Sequence, residues 1–126
     1  SAYLITDYIN APDLLEWIMA ASKAGDQVEE SAVELEAIVR LIKELSEVQV
    51  SHGDLKATNF LMSEAGPVLI DLDGMKDHEN YHGFERAFRR DLIRFMDNWR
   101  DFPGLRASFA SKLKELSVQY NVSFIE

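Results

Sequence analysis

The sequence predicts a mainly helical α+β domain that carries one small β-hairpin. Three observations support this fold class. Two long stretches, one on each side of the middle of the chain, repeat apolar residues with the period of an α-helix. Between them, two short apolar runs flank a turn-like segment, residues 63–67, with the sequence SEAGP. The 126 residues are 47% hydrophobic, which is enough for one compact domain with a buried core.

Charge and amino-acid usage argue against several classes of function. With 22 acidic and 13 basic residues the net charge is -9, which disfavours nucleic-acid binding because that requires clustered Lys and Arg. The same charge disfavours purely electrostatic binding to an anionic membrane. There is no cysteine, so disulfides and thiolate metal sites are excluded. No apolar run approaches the roughly 18 residues of a membrane span, and no signal-peptide pattern is present, so we expect a cytoplasmic protein.

The first third of the chain predicts one strand and two helices. Residues 3–9 are strand-like, and since a lone strand is unstable we expect a partner segment upstream of Ser1. Pro12, with Asn10 as a capping candidate, begins a short helix that ends near Gly25. A longer helix is expected over residues 28–47. Its apolar residues follow the helical period and are Ala32, Leu35, Ile38, Val39, Leu41, Ile42 and Leu45.

The hairpin is expected to have its turn centred on Ala65. Opposed residues of an antiparallel hairpin have a constant index sum, so Phe60 would pair with Ile70 and Asn59 with Asp71. Asp73 follows two residues later and would project toward the same side if the strand continues.

Helical periodicity returns after the hairpin. One helix carries Phe84, Phe88, Leu92, Phe95, Met96 and Trp99. The DFPG sequence at residues 101–104 ends it, and a final helix carries Leu105, Phe109, Leu113 and Leu116. Trp17 and Trp99 fall at apolar-periodic positions, so we expect them in the core rather than stacked on a ligand.

The loop before the hairpin and the hairpin's open end contain several side chains that can bind a metal ion, accept a proton or contact a phosphate. Asn59 and Asp71 offer oxygen ligands, which suit Mg²⁺ because it binds through one or two carboxylates together with phosphate oxygens. Asp54 could accept a proton from a hydroxyl group or orient it. Lys56 could place a positive charge on a phosphate during transfer. These are the parts of a phosphoryl-transfer site. Asp73 is either a further metal ligand or an ordinary turn carboxylate.

The pattern His52-Gly53-Asp54-Leu55-x-x-x-Asn59, followed by VLIDLD at residues 68–73, resembles the catalytic and metal-binding loops of protein-kinase-like enzymes. Within that group the HGDLKATNF, LIDLD and RRDL segments are most similar to the lipopolysaccharide kinases, the Kdo and heptose kinases of the Gram-negative lipid A core. The resemblance implies an ATP- and Mg²⁺-dependent phosphotransferase of lipopolysaccharide biosynthesis. Its acceptor would be a sugar hydroxyl of the lipid A core.

The resemblance also implies a division of the chain, residues 1–126, as a kinase-like C-terminal lobe. Residues 1–10 would be the end of an N-lobe strand and the hinge, where Tyr8, Ile9 and Asn10 contact the nucleotide. Residues 11–47 would be the helices below the hinge. Residues 48–74 would hold the catalytic loop, hairpin and metal loop, in which Lys56 also contacts the nucleotide. Residues 84–119 would be the C-terminal helices, with Asp91 hydrogen-bonded to the catalytic loop.

The parts that such a kinase carries before the hinge are not in this sequence: a Gly-rich loop, a strand lysine and its glutamate partner. We therefore expect an isolated C-lobe that folds at least partly but is inactive. Residues 3–9 could then pair with a second copy to form a dimer. The intact parent is expected to bind a nucleotide and a sugar or glycolipid acceptor, in the cytoplasm or peripherally at the cytoplasmic face of the inner membrane.

Two features favour a small-molecule, sugar or lipid kinase over a peptide kinase. Gly53 stands where many regulated protein kinases carry an arginine, and the segment between Asp73 and Phe84 is short. A choline- or aminoglycoside-type kinase is an alternative, although Lys56 stands where those enzymes often have histidine. A non-catalytic, pseudokinase-like scaffold is the other alternative.

The remaining candidates have simpler interpretations. His52 is expected to be structural rather than a proton donor. His78 and His82 have the spacing of helical metal ligands but lie in a polar stretch that favours a solvated loop. One cluster of basic residues is either a solvated helix face or a surface that binds an anionic substrate. Its members are Arg86, Arg89, Arg90, Arg94 and Arg100.

Overall fold

A computed structural model describes residues 10–23 and 32–124. In these ranges the chain forms five α-helices and two separate two-stranded antiparallel sheets. The helices are α1 (Leu14–Lys23), α2 (Val33–Glu47), α3 (Tyr81–Asp97), α4 (Pro103–Lys112) and α5 (Lys114–Gln119). The strands are β1 (Val50–Ser51), β2 (Phe60–Ser63), β3 (Gly66–Leu69) and β4 (Lys76–Asp77). This is the mainly helical α+β class that the sequence predicts. The strand expected at residues 3–9 lies outside the described residues.

Helix α1 begins with a reciprocal cap. The backbone N–H of Glu16 donates to Asp13 Oδ1 over 2.8 Å, and the Asp13 N–H donates to Glu16 Oε1 over 3.0 Å. The expectation of Asn10 as the cap is therefore wrong, because Asp13 already satisfies the free N–H groups of the first turn. The carbonyl of Pro12 accepts a hydrogen bond from the Met62 N–H over 2.8 Å, which ties the start of α1 to the hairpin.

One hydrophobic core joins the helices to the hairpin. The Phe95 ring on α3 packs edge-on against Phe60 of β2, with the ring centroids 5.7 Å apart. Trp99 stacks on Phe109 of α4 at 5.3 Å, so its predicted place in the core is confirmed. Trp17 is partly buried against the same core. Each aromatic side chain buries a large apolar area, so these contacts fix α3 beneath the hairpin.

The hairpin pairs one residue out of the expected register. Phe60 pairs with Leu69 rather than Ile70, and Ser63 pairs with Gly66 across a turn of two residues. The turn is tight because Gly66 adopts φ +121, which glycine tolerates, and because Ser63 Oγ donates to the Gly66 carbonyl over 2.6 Å. The expected pairing of Asn59 with Asp71 is wrong. The Asn59 carbonyl instead accepts from the N–H of Ile70 over 2.9 Å.

The sequence did not predict the second sheet or the break between the last two helices. Val50 pairs with Asp77 and Ser51 with Lys76, so the segment after the hairpin returns alongside the loop that begins at His52. Strands of two residues are too short to show a period of two. The expected final helix is divided at Leu113, which forms the boundary between α4 and α5.

Candidate active site

The loop that contains Asp54 is held from inside by His52. The imidazole is buried, its Nδ1 accepts from the Asp54 N–H over 3.2 Å, and its Nε2 lies 2.9 Å from the Ile70 carbonyl. Because Nδ1 accepts, we assign the proton to Nε2, which donates to Ile70. Both ring nitrogens are thus occupied within the loop and the hairpin, which agrees with a structural role for His52.

Helix α3 holds the same loop from below through Asp91. Its buried carboxylate accepts hydrogen bonds from the His52 N–H over 2.7 Å and from the Gly53 N–H over 3.0 Å. Burial raises the pKa of the Asp91 carboxyl, and the two N–H donors offset part of that rise. This contact is the one that the kinase resemblance implies for Asp91.

Close backbone packing explains the glycine at position 53. Gly53 has φ +95, and a Cβ there would lie 3.0 Å from the carbonyl oxygen of Gly74. A Cβ on Gly74 would in turn lie 3.2 Å from the His52 carbonyl oxygen. The loop therefore rests directly on the turn that follows Asp71, and a side chain in place of Gly53 would be strained at this φ and would press against the Gly74 backbone.

Two cations flank the carboxylate of Asp54. Lys56 Nζ lies 3.3 Å from Oδ2, and Arg94 Nε of α3 lies 3.7 Å from Oδ1. The Asp54 side chain is 42% exposed, so solvent screens both pairs and each contributes little to stability. The sequence alone did not indicate Arg94 as a contact of Asp54. Arg94 lies three residues after Asp91 in a helical stretch, so its spacing could have placed it on the same face of α3 as Asp91.

Asn59 and Asp71 lie at the open end of the hairpin despite the shifted register. The Asn59 side chain is buried, and its Nδ2 donates to the Asp54 carbonyl over 2.8 Å. Its Oδ1 has no hydrogen-bond partner in the part of the chain that the structure describes. Asp71 directly follows Ile70, the residue bonded to the Asn59 backbone, and is exposed with a left-handed φ of 57. Non-glycine residues rarely adopt this conformation, and those that do are concentrated at functional sites.

The oxygen atoms of these two side chains are of the chemical type that Mg²⁺ prefers. Mg²⁺ needs only one or two carboxylates when phosphate oxygens and water complete its coordination. Over residues 10–23 and 32–124 no group of three His, Cys, Asp or Glu side chains forms a protein-only metal cluster. The sequence placed Asp73 on the same side only if the strand continues, and this condition is not met because the strand ends at Leu69 and residues 72–74 form a 3₁₀ turn. Whether Asp73 binds a metal stays a prediction.

A groove of about 680 Å³ runs beside Asp54 between α3 and the β1–β4 sheet. His78 lines it and is fixed by a 2.7 Å hydrogen bond between its Nε2 and Ser51 Oγ, with its ring against Phe84 at 5.7 Å. The expected solvated loop at His78 and His82 is confirmed in part, because residues 78–80 lie outside helices and strands and His82 is exposed. His78 is held in place, and His82 lies in the first turn of α3, where its N–H donates to the capping Asn80.

Two further expectations concern the nucleotide and the membrane. Tyr8 and Ile9, the expected hinge contacts, lie outside the described residues, and Asn10 is exposed. None of the helices described here is both long and apolar enough to cross a bilayer.

The model of the lipopolysaccharide kinase (Kdo/WaaP) family matches residues 1–114. No curated protein matches the sequence significantly.

Proposed function

Because the chain belongs to the lipopolysaccharide kinase (Kdo/WaaP) family, we propose that it is the C-terminal lobe of an ATP-dependent kinase. The acceptor is a sugar hydroxyl of the lipid A core. One observation supports the proposal: the Asn59 amide donates to the Asp54 carbonyl, and the Asn59 carbonyl accepts from Ile70, the residue before Asp71. Asp91 of α3 fixes the same loop through the N–H groups of His52 and Gly53. Such a constellation supplies the positioning on which phosphoryl transfer depends.

Asp54 has the role of base in this proposal. Its carboxylate is partly exposed at the end of the groove, so an acceptor hydroxyl can reach it and give up its proton during transfer. The contacts from Lys56 and Arg94 restrict the orientation of the carboxylate. Lys56 Nζ is on a long flexible side chain, and it also serves as the positive contact for the transferred phosphate.

Asn59 Oδ1 and the Asp71 carboxylate are the proposed metal ligands, with Asp73 as a further candidate. A magnesium ion held by these oxygens would supply positive charge to offset the negative charge that develops on the phosphate. The Asn59 amide is suited to this because its Nδ2 is already used by the Asp54 carbonyl, which fixes the side of the amide that presents oxygen.

The division of the chain is part of the same proposal. It assigns residues 1–10 to the end of an N-lobe strand and the hinge, with Tyr8, Ile9 and Asn10 as the proposed nucleotide contacts. Residues 48–74 hold the catalytic loop, hairpin and metal loop. The family match favours the lipopolysaccharide-kinase type over a choline- or aminoglycoside-type kinase.

The direct test is phosphate transfer by the intact protein from γ-labelled ATP to core oligosaccharide, with choline and an aminoglycoside as competing acceptors. We expect label in the oligosaccharide only, dependent on Mg²⁺ and abolished by a chelator. Label in choline or the aminoglycoside instead would contradict the acceptor. A protein that binds no nucleotide by calorimetry would support a scaffold and contradict the kinase.

A further inference from the structure

The arginines of the α3 region divide into two sets. Three of them have partners: Arg89 donates to the Tyr120 carbonyl over 2.9 Å, Arg94 lies 3.7 Å from Asp54, and Arg100 lies 3.1 Å from Asp97. The other two, Arg86 and Arg90, make no ion pair or hydrogen bond with the residues that the structure describes. Both are exposed, and both line the groove beside Asp54.

Lys76 adds a third cation on the opposite wall of the groove. It lies on β4, is exposed, and likewise has no ion pair within the described ranges. A chain with a net charge of -9 has many carboxylates that could neutralise these cations. Three unpaired cations on one concave surface therefore distinguish this groove from an ordinary solvated helix face.

The acidic groups that line the groove form no ion pair with the three cations within the described residues. Asp91 is buried and its two oxygens accept from the loop backbone. Asp97 is paired with Arg100, and Asp54 is paired with Lys56 and Arg94. The groove thus has a free cationic end at Arg86, Arg90 and Lys76, and a proposed reactive end at Asp54.

We propose that the cationic end binds an anionic substituent, a phosphate or a carboxylate, of the acceptor sugar. This rests on the proposed function, because it assigns the groove to the acceptor of that reaction. Arg86 and Arg90 are four residues apart, which places them on one face of α3 with their planar guanidinium groups available to the same anion. A rise of about 1.5 Å per residue puts Arg90 about 6 Å and Arg86 about 12 Å along the helix from Arg94. One or two sugar units span such a distance, so an anchored anion leaves a neighbouring hydroxyl at Asp54.

The test is calorimetric titration of the full chain, without nucleotide, with glucose 6-phosphate, glucuronate, glucose and inorganic phosphate. We expect both anionic sugars to bind more tightly than glucose, and more tightly than inorganic phosphate because the sugar also contacts the groove. Raising the salt concentration should weaken their binding, since a shorter Debye length screens exposed charges. The double variant Arg86→Gln/Arg90→Gln should lose about tenfold in affinity for the anionic sugars, because each lost contact is a charge-assisted hydrogen bond.

The matched control is Arg100→Gln, an exposed arginine of the same region that lies outside the groove. It should leave the affinity unchanged, and thermal unfolding should show that all variants fold. Equal binding of glucose and the anionic sugars, equal binding of inorganic phosphate and the anionic sugars, or no loss in the double variant, would each overturn the proposal. Because the readout is binding without ATP, the result does not depend on whether Asp54 catalyses transfer. Retained sugar binding in a protein without kinase activity would contradict the proposed function alone.

Discussion

The buried carboxylate of Asp91 accepts a hydrogen bond from the backbone N–H of His52 over 2.7 Å. This bond joins the longest described helix to the first residue of the loop that carries Asp54. The neighbouring Gly53 N–H donates to the other oxygen, so one side chain satisfies two successive backbone groups. The position of the loop is therefore set by the packing of α3 in the core rather than by the loop sequence alone.

Asp91→Asn should destabilise the fold by about 1–3 kcal/mol, because the amide can accept only one of the two N–H groups and turns a donor toward the other. Urea unfolding of both proteins at neutral pH measures the difference. Asp97→Asn is the control, since Asp97 lies on the same helix with an exposed side chain. A destabilisation no larger than that of the control would contradict the structural role of Asp91.

The free energy of unfolding should depend on pH in a way that reflects the raised pKa of the Asp91 carboxyl. Burial raises the pKa of its carboxyl above the ordinary value of 3.8, so the native state binds this proton at a higher pH than the unfolded chain does. The part of the Asp91 contribution that depends on its bound proton is therefore fully present below about pH 3.8 and is lost as the pH rises through the folded-state pKa. The hydrogen bonds that the carboxylate accepts remain at neutral pH.

The measurement is the free energy of unfolding of the wild type minus that of Asp91→Asn, followed from pH 4 to pH 7. We expect this difference to become larger as the pH falls, since other titrating groups cancel between the two proteins. A difference that becomes smaller as the pH falls would mean that the two N–H donors outweigh burial and lower the pKa.

Gly53→Ala should cost more stability than Gly66→Ala. Both residues have positive φ, at +95 and +121, so both substitutions introduce backbone strain. Only the Cβ at position 53 also meets a backbone atom, the Gly74 oxygen at 3.0 Å, whereas position 66 has nothing within 4 Å. Denaturant midpoints of the two variants give the comparison, and we expect a gap of about 1 kcal/mol or more. Equal costs would show that the loop does not press against Gly74.

Asp71→Ala should remove metal binding from the chain. Mn²⁺ can replace Mg²⁺ at oxygen ligands and broadens nearby NMR signals, so we expect selective broadening around Asn59 and Asp71 in the wild type. The affinity should be weak, because phosphate oxygens normally complete the coordination. Glu64→Gln, an exposed carboxylate at the hairpin turn, is the control and should retain the broadening. Unchanged broadening in Asp71→Ala would place the ion elsewhere.

The sequence predicted the helices because they depend on regular spacing, and it predicted the contact between Asp91 and the loop because the family resemblance implies it. Apolar residues on α2 and α3 repeat at the helical period, and the loop residues are close to one another in the chain. The hairpin register could not be obtained in this way. It depends on the φ of Gly66 and the Ser63 hydroxyl, and a shift of one residue leaves the apolar runs almost unchanged.

The other differences also arise from contacts distant in sequence. In the sequence, Asp13 and Glu16 cannot be distinguished from other pairs of polar residues, so their reciprocal cap could not be predicted. The hydrogen bond between Pro12 and Met62 forms only once the hairpin has folded. His78 appears solvated in a polar stretch until β4 pairs with β1 and brings it to Ser51. Arg94 joins the site only because α3 lies beneath the loop that holds Asp54.

The turnover of Asp54→Asn in the intact protein tests the central claim, that Asp54 is the base of a kinase site. Single-turnover transfer from ATP to core oligosaccharide should slow by at least about 100-fold, because the amide cannot take the hydroxyl proton. Nucleotide affinity should remain, since Asp54 is not a proposed nucleotide or metal ligand, and Glu64→Gln should react at the wild-type rate. An Asp54→Asn enzyme that transfers phosphate within a few-fold of the wild-type rate would contradict the account.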